Sequence, residues 1–67
     1  MYVISCGLIT RDHKPRDGRC WNSEGKPESR REKWARFLTP DEAVAFADAH
    51  GITTGPGQSE ILQDHLI

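Results

Sequence analysis

The spacing of apolar side chains changes along the chain, and each change marks an element. In the opening run YVISCGLI, Tyr2, Ile4, Cys6 and Leu8 alternate with their neighbours in a stretch rich in β-branched and aromatic residues. That period of two predicts a half-buried strand. RDHKPRDG follows with Pro15 and then Asp17-Gly18, a pair that tolerates the positive φ of a tight reversal. RCWN has room for a short second strand, and SEGKPES, with Gly25 and Pro27, reads as a second loop. In RREKWARFL, Trp34 and Phe37 fall on opposite faces of a strand, so alternation alone does not choose the inward side; we place Ala35 and Phe37 inward.

The pattern then switches to a period near 3.6, and the switch carries its own punctuation. Thr39 is an N-cap residue, Pro40 occupies the first helical position, and Glu42 stands three residues after the cap in a capping box. These signals predict a helix over residues 40–50. At 100° per residue, Ala43, Val44, Phe46, Ala47 and His50 share an arc of about 160°, with Asp41, Glu42, Ala45, Asp48 and Ala49 opposite. Gly51 suits the left-handed position that ends a helix, and Ile52 the apolar contact that completes such a cap. TTGPGQ is a loop. In SEILQDHLI, Ile61, Leu62, His65 and Leu66 suit one helix face, while EILQ would complete a sheet; we read a strand or arm. The order is β-β-β-α-β or β-β-β-α-α. The fold class it implies is α+β, one amphipathic helix packed on a small antiparallel sheet of about three to four strands, with residues 1–67 as a single domain.

Length narrows this picture. A domain of 67 residues buries only about 60% of its unfolded-chain surface, which leaves no room for a deep pocket. With 36% hydrophobic and 28% charged residues, the chain is neither depleted enough for disorder nor apolar enough for a membrane. MYVISCGLI is apolar for nine residues only and lacks both a basic leader and a small-residue cleavage pattern, so no signal peptide or membrane span is expected and a cytoplasmic location is. In a reducing compartment Cys6 and Cys20 stay as thiols, read here as small buried apolar side chains.

Charge adds the strongest asymmetry. The net charge of -1 hides two blocks: residues 11–36 carry nine bases and five acids, residues 37–67 five acids and no base. Cys6, Cys20, His13, His50 and His65 contain no closely spaced ligand pair, so neither a metal nor another cofactor is expected. Cys6 and His13 lack the third, orienting group of a nucleophilic site, and His50 is suited to its place by the helix dipole alone. With no phosphate loop, nucleophile elbow or paired-carboxylate motif, the expectation is a protein that is not an enzyme.

Two charged surfaces remain. One is basic and aromatic: Arg11, Lys14, Arg16, Arg19, Trp21, Lys26, Arg30, Arg31, Lys33, Trp34 and Arg36. Such groups contact phosphates and stack on bases, although five acids interrupt them and the pI is near 6.3. The other is acidic: Asp41, Glu42 and Asp48 on the outer helix face, with Glu60 and Asp64 as possible additions. Carboxylates near a helix start oppose its dipole, yet a face without balancing bases also projects a negative field toward a basic partner.

MYVI, a Trp ahead of the helix, and FLTPDEAVAFADAHGI resemble small proteins of phages and mobile elements, in which a strand leads into an F-x-[ST]-x-[DE]-[EA]-A-x-x-[FY]-A helix. The anti-CRISPR inhibitors are one group among these, and a similar run occurs in an accessory subunit of mitochondrial complex I. The likeness covers residues 30–52. It implies a stand-alone inhibitor that blocks a host protein or nucleoprotein complex, such as a CRISPR effector, in the host cytoplasm. On residue type, Trp21, Trp34 and Arg36 are then hot-spot candidates, with Asp41, Glu42 and Asp48 steering toward a basic groove. One alternative is a nucleic-acid-binding module using Arg11, Lys14, Arg16, Arg19, Arg30, Arg31 and Lys33; another is a structural or oligomerising accessory protein, monomer or homodimer, assembled through EILQDHLI. No membrane partner is expected.

Overall fold

In the computed structural model, which describes all 67 residues, strand β1 (Tyr2–Ile4) is the element that the rest of the fold shares. It pairs antiparallel with β4 (Ile61–Gln63), Val3 opposite Leu62. Strands β2 (Cys20–Trp21) and β3 (Pro27–Glu28) form a second antiparallel pair. The result is two two-stranded sheets, not the single sheet of three to four strands expected from sequence. Single antiparallel bridges, Ser5 to Cys20, Tyr2 to Phe37 and Asn22 to Trp34, join the parts. Longer ladders are blocked locally: Gly7, at φ 89°, turns the chain away after Ser5, and Pro27 has no N–H to donate.

Residues 30–38, expected as a third strand, instead begin with a 3-10 turn over Arg31–Lys33 and then touch their neighbours by one bridge each at Trp34 and Phe37. This reverses the expected orientation. Trp34 is 7% exposed and packs with Val3, Cys20 and Leu62, while Ala35 and Phe37 are only half-buried. Phe37 joins a second cluster of Ile4, Ala43, Ala47 and Ile52, supported by Trp21, Phe46 and Ile61. Successive side chains of a strand point to opposite faces, so Val3 serves one cluster and Ile4 the other. Strand β1 is therefore covered on both sides. The single inward face read from Tyr2, Ile4, Cys6 and Leu8 fails for the same reason: Cys6 is half-buried and Leu8, beyond Gly7, is 44% exposed.

Two buried serines join the elements. Ser5 Oγ accepts from the Glu60 N–H (2.8 Å) and donates to the Gly7 carbonyl (2.9 Å). Ser59 Oγ accepts from Trp21 Nε1 (3.1 Å) and from the Gly7 N–H (3.4 Å). Every buried side-chain polar atom has a partner, as a small core requires, because an unpaired one costs about 1–3 kcal/mol.

Helix α1 (Pro40–Ala49) begins where its capping residues predict. Thr39 Oγ1 accepts from the Glu42 N–H (3.2 Å), and the Glu42 carboxylate reaches back to the Leu38 N–H (3.0 Å), one residue before the cap. At the far end the Ile52 N–H donates to the Ala47 carbonyl (2.8 Å) and the Gly51 N–H to that of Asp48 (3.3 Å), with Gly51 at φ 69°. This is a Schellman ending, and it buries Ile52. The buried face is narrower than the expected arc: Ala43 and Ala47 are buried and Phe46 half-buried, whereas Val44 and His50 are exposed. The His50 ring lies 4.3 Å, centroid to centroid, from Phe46.

His50 also meets the β2–β3 loop. Asn22 Oδ1 folds that loop by accepting from the Glu24 (2.9 Å) and Lys26 (3.0 Å) N–H groups. Gly25 then sits at φ 75°, where a Cβ would overlap the His50 imidazole. Gly25→Ala should cost about 1–2 kcal/mol from the left-handed backbone alone, and more when His50 is present than when it is alanine. Denaturant unfolding of Gly25→Ala in wild-type and His50→Ala backgrounds checks this. Equal costs in both would refute the loop–helix contact.

Candidate interaction surfaces

The residues singled out by sequence separate into those the fold consumes and those it leaves exposed. Asp64 is the centre of the first group. Its Oδ2 accepts from Arg36 Nε (2.8 Å) and its Oδ1 from Arg31 Nη2 (3.2 Å). Arg31 also donates to the backbone oxygens of Asp64 and Ile67 (2.7 Å each). Arg36 donates to those of Trp34 (3.1 Å) and Arg31 (2.8 Å). The Arg31 guanidinium lies 5.7 Å from the Trp34 ring centroid. The Arg36 hydrogen bond, helped by the charges of Arg36 and Arg31, holds the Asp64 carboxyl below its ordinary value of 3.8 against the opposing effect of burial. Trp34 Nε1 donates to the Glu28 carbonyl (2.7 Å).

Of the expected contact residues, Arg36 therefore joins Arg31 in fastening residues 64–67 to the body of the fold, and Trp34 is taken up by the core. The two charge blocks are not separate in space either, since the acidic half sends Asp64 back between two arginines of the basic block. Nothing in the linear charge pattern reveals that return. Cys20, behind this clamp, is pushed up to about 12 by burial, with the Asp64 charge adding to the effect. Burial also raises the Cys6 thiol. Both cysteines are free, and neither is a thiolate nucleophile at neutral pH.

Asp41, Glu42 and Asp48 are exposed on α1, and none lies within the 4.0 Å of a basic nitrogen that makes an ion pair. Glu42 has a structural duty at the Leu38 N–H, which leaves Asp41 and Asp48 free. Val44 (37% exposed) shares the helix with them, and Leu38 (68%) stands at its start. Trp21 is half-buried with its indole N–H bound to Ser59.

Arg11, Lys14, Arg16, Arg19, Lys26, Arg30 and Lys33 are all exposed and outside any ion pair. Sequence reading placed the turn of a hairpin at Asp17-Gly18, whereas the tip lies at residues 11–13. In that hairpin Ile9 faces Pro15 across an antiparallel bridge. The available signal was Ile9 and Pro15 flanking a polar turn.

The surface holds no pocket, and no three His, Cys, Asp or Glu side chains gather into a group that could hold a metal ion. No helix is long and apolar enough to cross a membrane. Fold and surfaces together define a small α+β protein of two two-stranded antiparallel sheets and one helix, with exposed charge of both signs. Comparison with protein-family models, curated proteins and solved structures returned no match.

Proposed function

We propose that the protein is a non-enzymatic binding protein that occupies a basic face of a host protein or nucleoprotein complex and thereby blocks it. The observation that carries this reading is the outer face of α1, where Asp41 and Asp48 are exposed without an internal cation and Val44 and Leu38 supply apolar contact. Unbalanced charge beside exposed apolar side chains suits an interface in which the field speeds encounter and the apolar atoms slow release. The likeness of residues 30–52 to small phage-borne inhibitors supports a CRISPR effector as the target and the host cytoplasm as the place of action.

Glu42 belongs outside the test, since its carboxylate caps the helix start. Asp41→Asn combined with Asp48→Lys removes the free charge and keeps that cap. Against a purified effector, the wild type should bind and inhibit nucleic-acid cleavage, and the double variant should bind about tenfold or more weakly with an unchanged circular-dichroism spectrum. Unchanged affinity in the double variant overturns the acidic-face mechanism. Absence of binding to any of a panel of effectors overturns the choice of target.

A further inference from the structure

The hairpin between β1 and β2 has an inside and an outside, and its cations are on the outside. Ile9 pairs with Pro15; Pro15 is buried, and Ile9 packs against the cluster of Val3, Cys20, Trp34 and Leu62. The next pairs lie one step to either side. The Thr10 N–H donates to the Lys14 carbonyl (2.8 Å), and the Arg16 N–H to that of Leu8 (2.9 Å). Because neighbouring positions of a strand face opposite ways, Leu8, Thr10, Lys14 and Arg16 point away from the core, and all four are exposed. Arg11, Asp12 and His13 make a three-residue tip, with the His13 N–H donating to the Thr10 carbonyl (3.0 Å) and His13 at φ 58°, the left-handed closing position such a tip requires. At the root, the Gly18 N–H donates to the Pro15 carbonyl (3.1 Å) and the Cys6 N–H to that of Arg19 (2.9 Å).

Arg11, Lys14, Arg16 and Arg19 thus stand on one anchored projection, and the two acids within it, Asp12 and Asp17, occupy turns and pair with none of them. The geometry points to residues 8–19 as a cationic β-ribbon that contacts the phosphate backbone of a nucleic-acid duplex without reading its sequence. A two-stranded ribbon has the dimensions of a duplex groove, and fixed cations displace condensed counterions. No tryptophan ring stands on the hairpin to stack on bases: Trp34 is buried, and Trp21 is half-buried against the cluster of Ile4, Ala43, Ala47 and Ile52. Leu8 is the one large apolar side chain the outward face presents. That is too little to enter a bilayer and no aromatic anchor for a protein partner. The inference is independent of the acidic helix face.

The test is fluorescence anisotropy of a labelled mixed-sequence DNA duplex with the 67-residue chain, repeated with the matching single strand and with anionic phospholipid vesicles. Duplex binding should weaken with salt at a log–log slope no steeper than about -3.6, four contacts at about 0.9 each. Lys14→Glu with Arg16→Glu should weaken it by at least about tenfold. Lys26→Glu with Lys33→Glu makes the same change in net charge elsewhere and should weaken it far less. Lys14→Gln with Arg16→Gln should lose intermediate affinity, and circular dichroism confirms folding of each variant. No binding at low salt, equal losses for the two reversals, tighter binding to single strand, or preference for vesicles each overturns the assignment. Asp41→Asn with Asp48→Lys should retain duplex binding, so failure of the helix-face reading leaves a distinct result.

Discussion

Trp34→Ala is expected to remove about half or more of the stability of the fold. The ring is buried against Val3, Cys20 and Leu62, and removing a buried tryptophan costs about 3–5 kcal/mol. A chain of 67 residues has about 3–10 kcal/mol of total stability to lose, at about 0.05–0.15 kcal/mol per residue. The truncation also strands the Glu28 carbonyl, which accepts the indole N–H at 2.7 Å, and removes the ring beneath the Arg31 guanidinium. Trp34→Phe keeps most of the apolar volume and loses the hydrogen bond, so it should fold with a loss of about 1–2 kcal/mol. Far-UV circular dichroism and urea titration distinguish the two. A Trp34→Ala protein that unfolds at the wild-type urea midpoint and has lost only partner binding would return Trp34 to the interface and contradict the core described here.

The contrast between Trp34 and α1 shows which parts of this fold are written locally. Thr39, Glu42, Gly51 and Ile52 act through hydrogen bonds a few residues away and Pro40 through its fixed φ, so the helix was legible with both its ends. Its buried face was less so, because the depth to which Val44 and His50 sink depends on what approaches them, and Gly25 meets His50 from another loop. Trp34 was misplaced because alternation left the inward side open and the face chosen, that of Ala35 and Phe37, is only half-buried in a segment that opens with a 3-10 turn. Alternation also assumes one covered face, while β1 has Val3 in one cluster and Ile4 in the other. The candidate surfaces divide the same way. Asp41 and Asp48 follow from helix geometry alone. The sorting of nine bases into two that clamp the chain end and seven that remain free depends on where Asp64 returns, and a distance of 28 residues between Arg36 and Asp64 carries no local signal.

That clamp carries the second large effect, and its sign follows from the direction of the Asp64 shift. Two arginines keep the carboxyl below 3.8, so the folded state binds the proton less tightly than the unfolded chain does. A group depressed in this way contributes its stability in full above the unfolded value, about 3.9 for aspartate, and loses it as pH falls through the lower folded value. Asp64→Asn keeps the size and one acceptor oxygen but removes the charge, and it should cost about 1.5–3 kcal/mol at neutral pH, the range for hydrogen bonds to charged groups. Urea unfolding of the wild type and Asp64→Asn should therefore differ most above about pH 4 and converge as the solution is acidified. Other carboxylates titrate in both proteins, so the difference between the curves isolates Asp64. A gap that stays constant through acid pH would mean that the side chain acts by shape rather than charge. Convergence would mean that the Asp64 side chain acts through its charge. The bonds of Arg31 and Arg36 to the backbone oxygens of Asp64, Ile67, Trp34 and Arg31 do not depend on that charge, so both arginines stay fastened and the free basic surface consists of the hairpin and the loop cations.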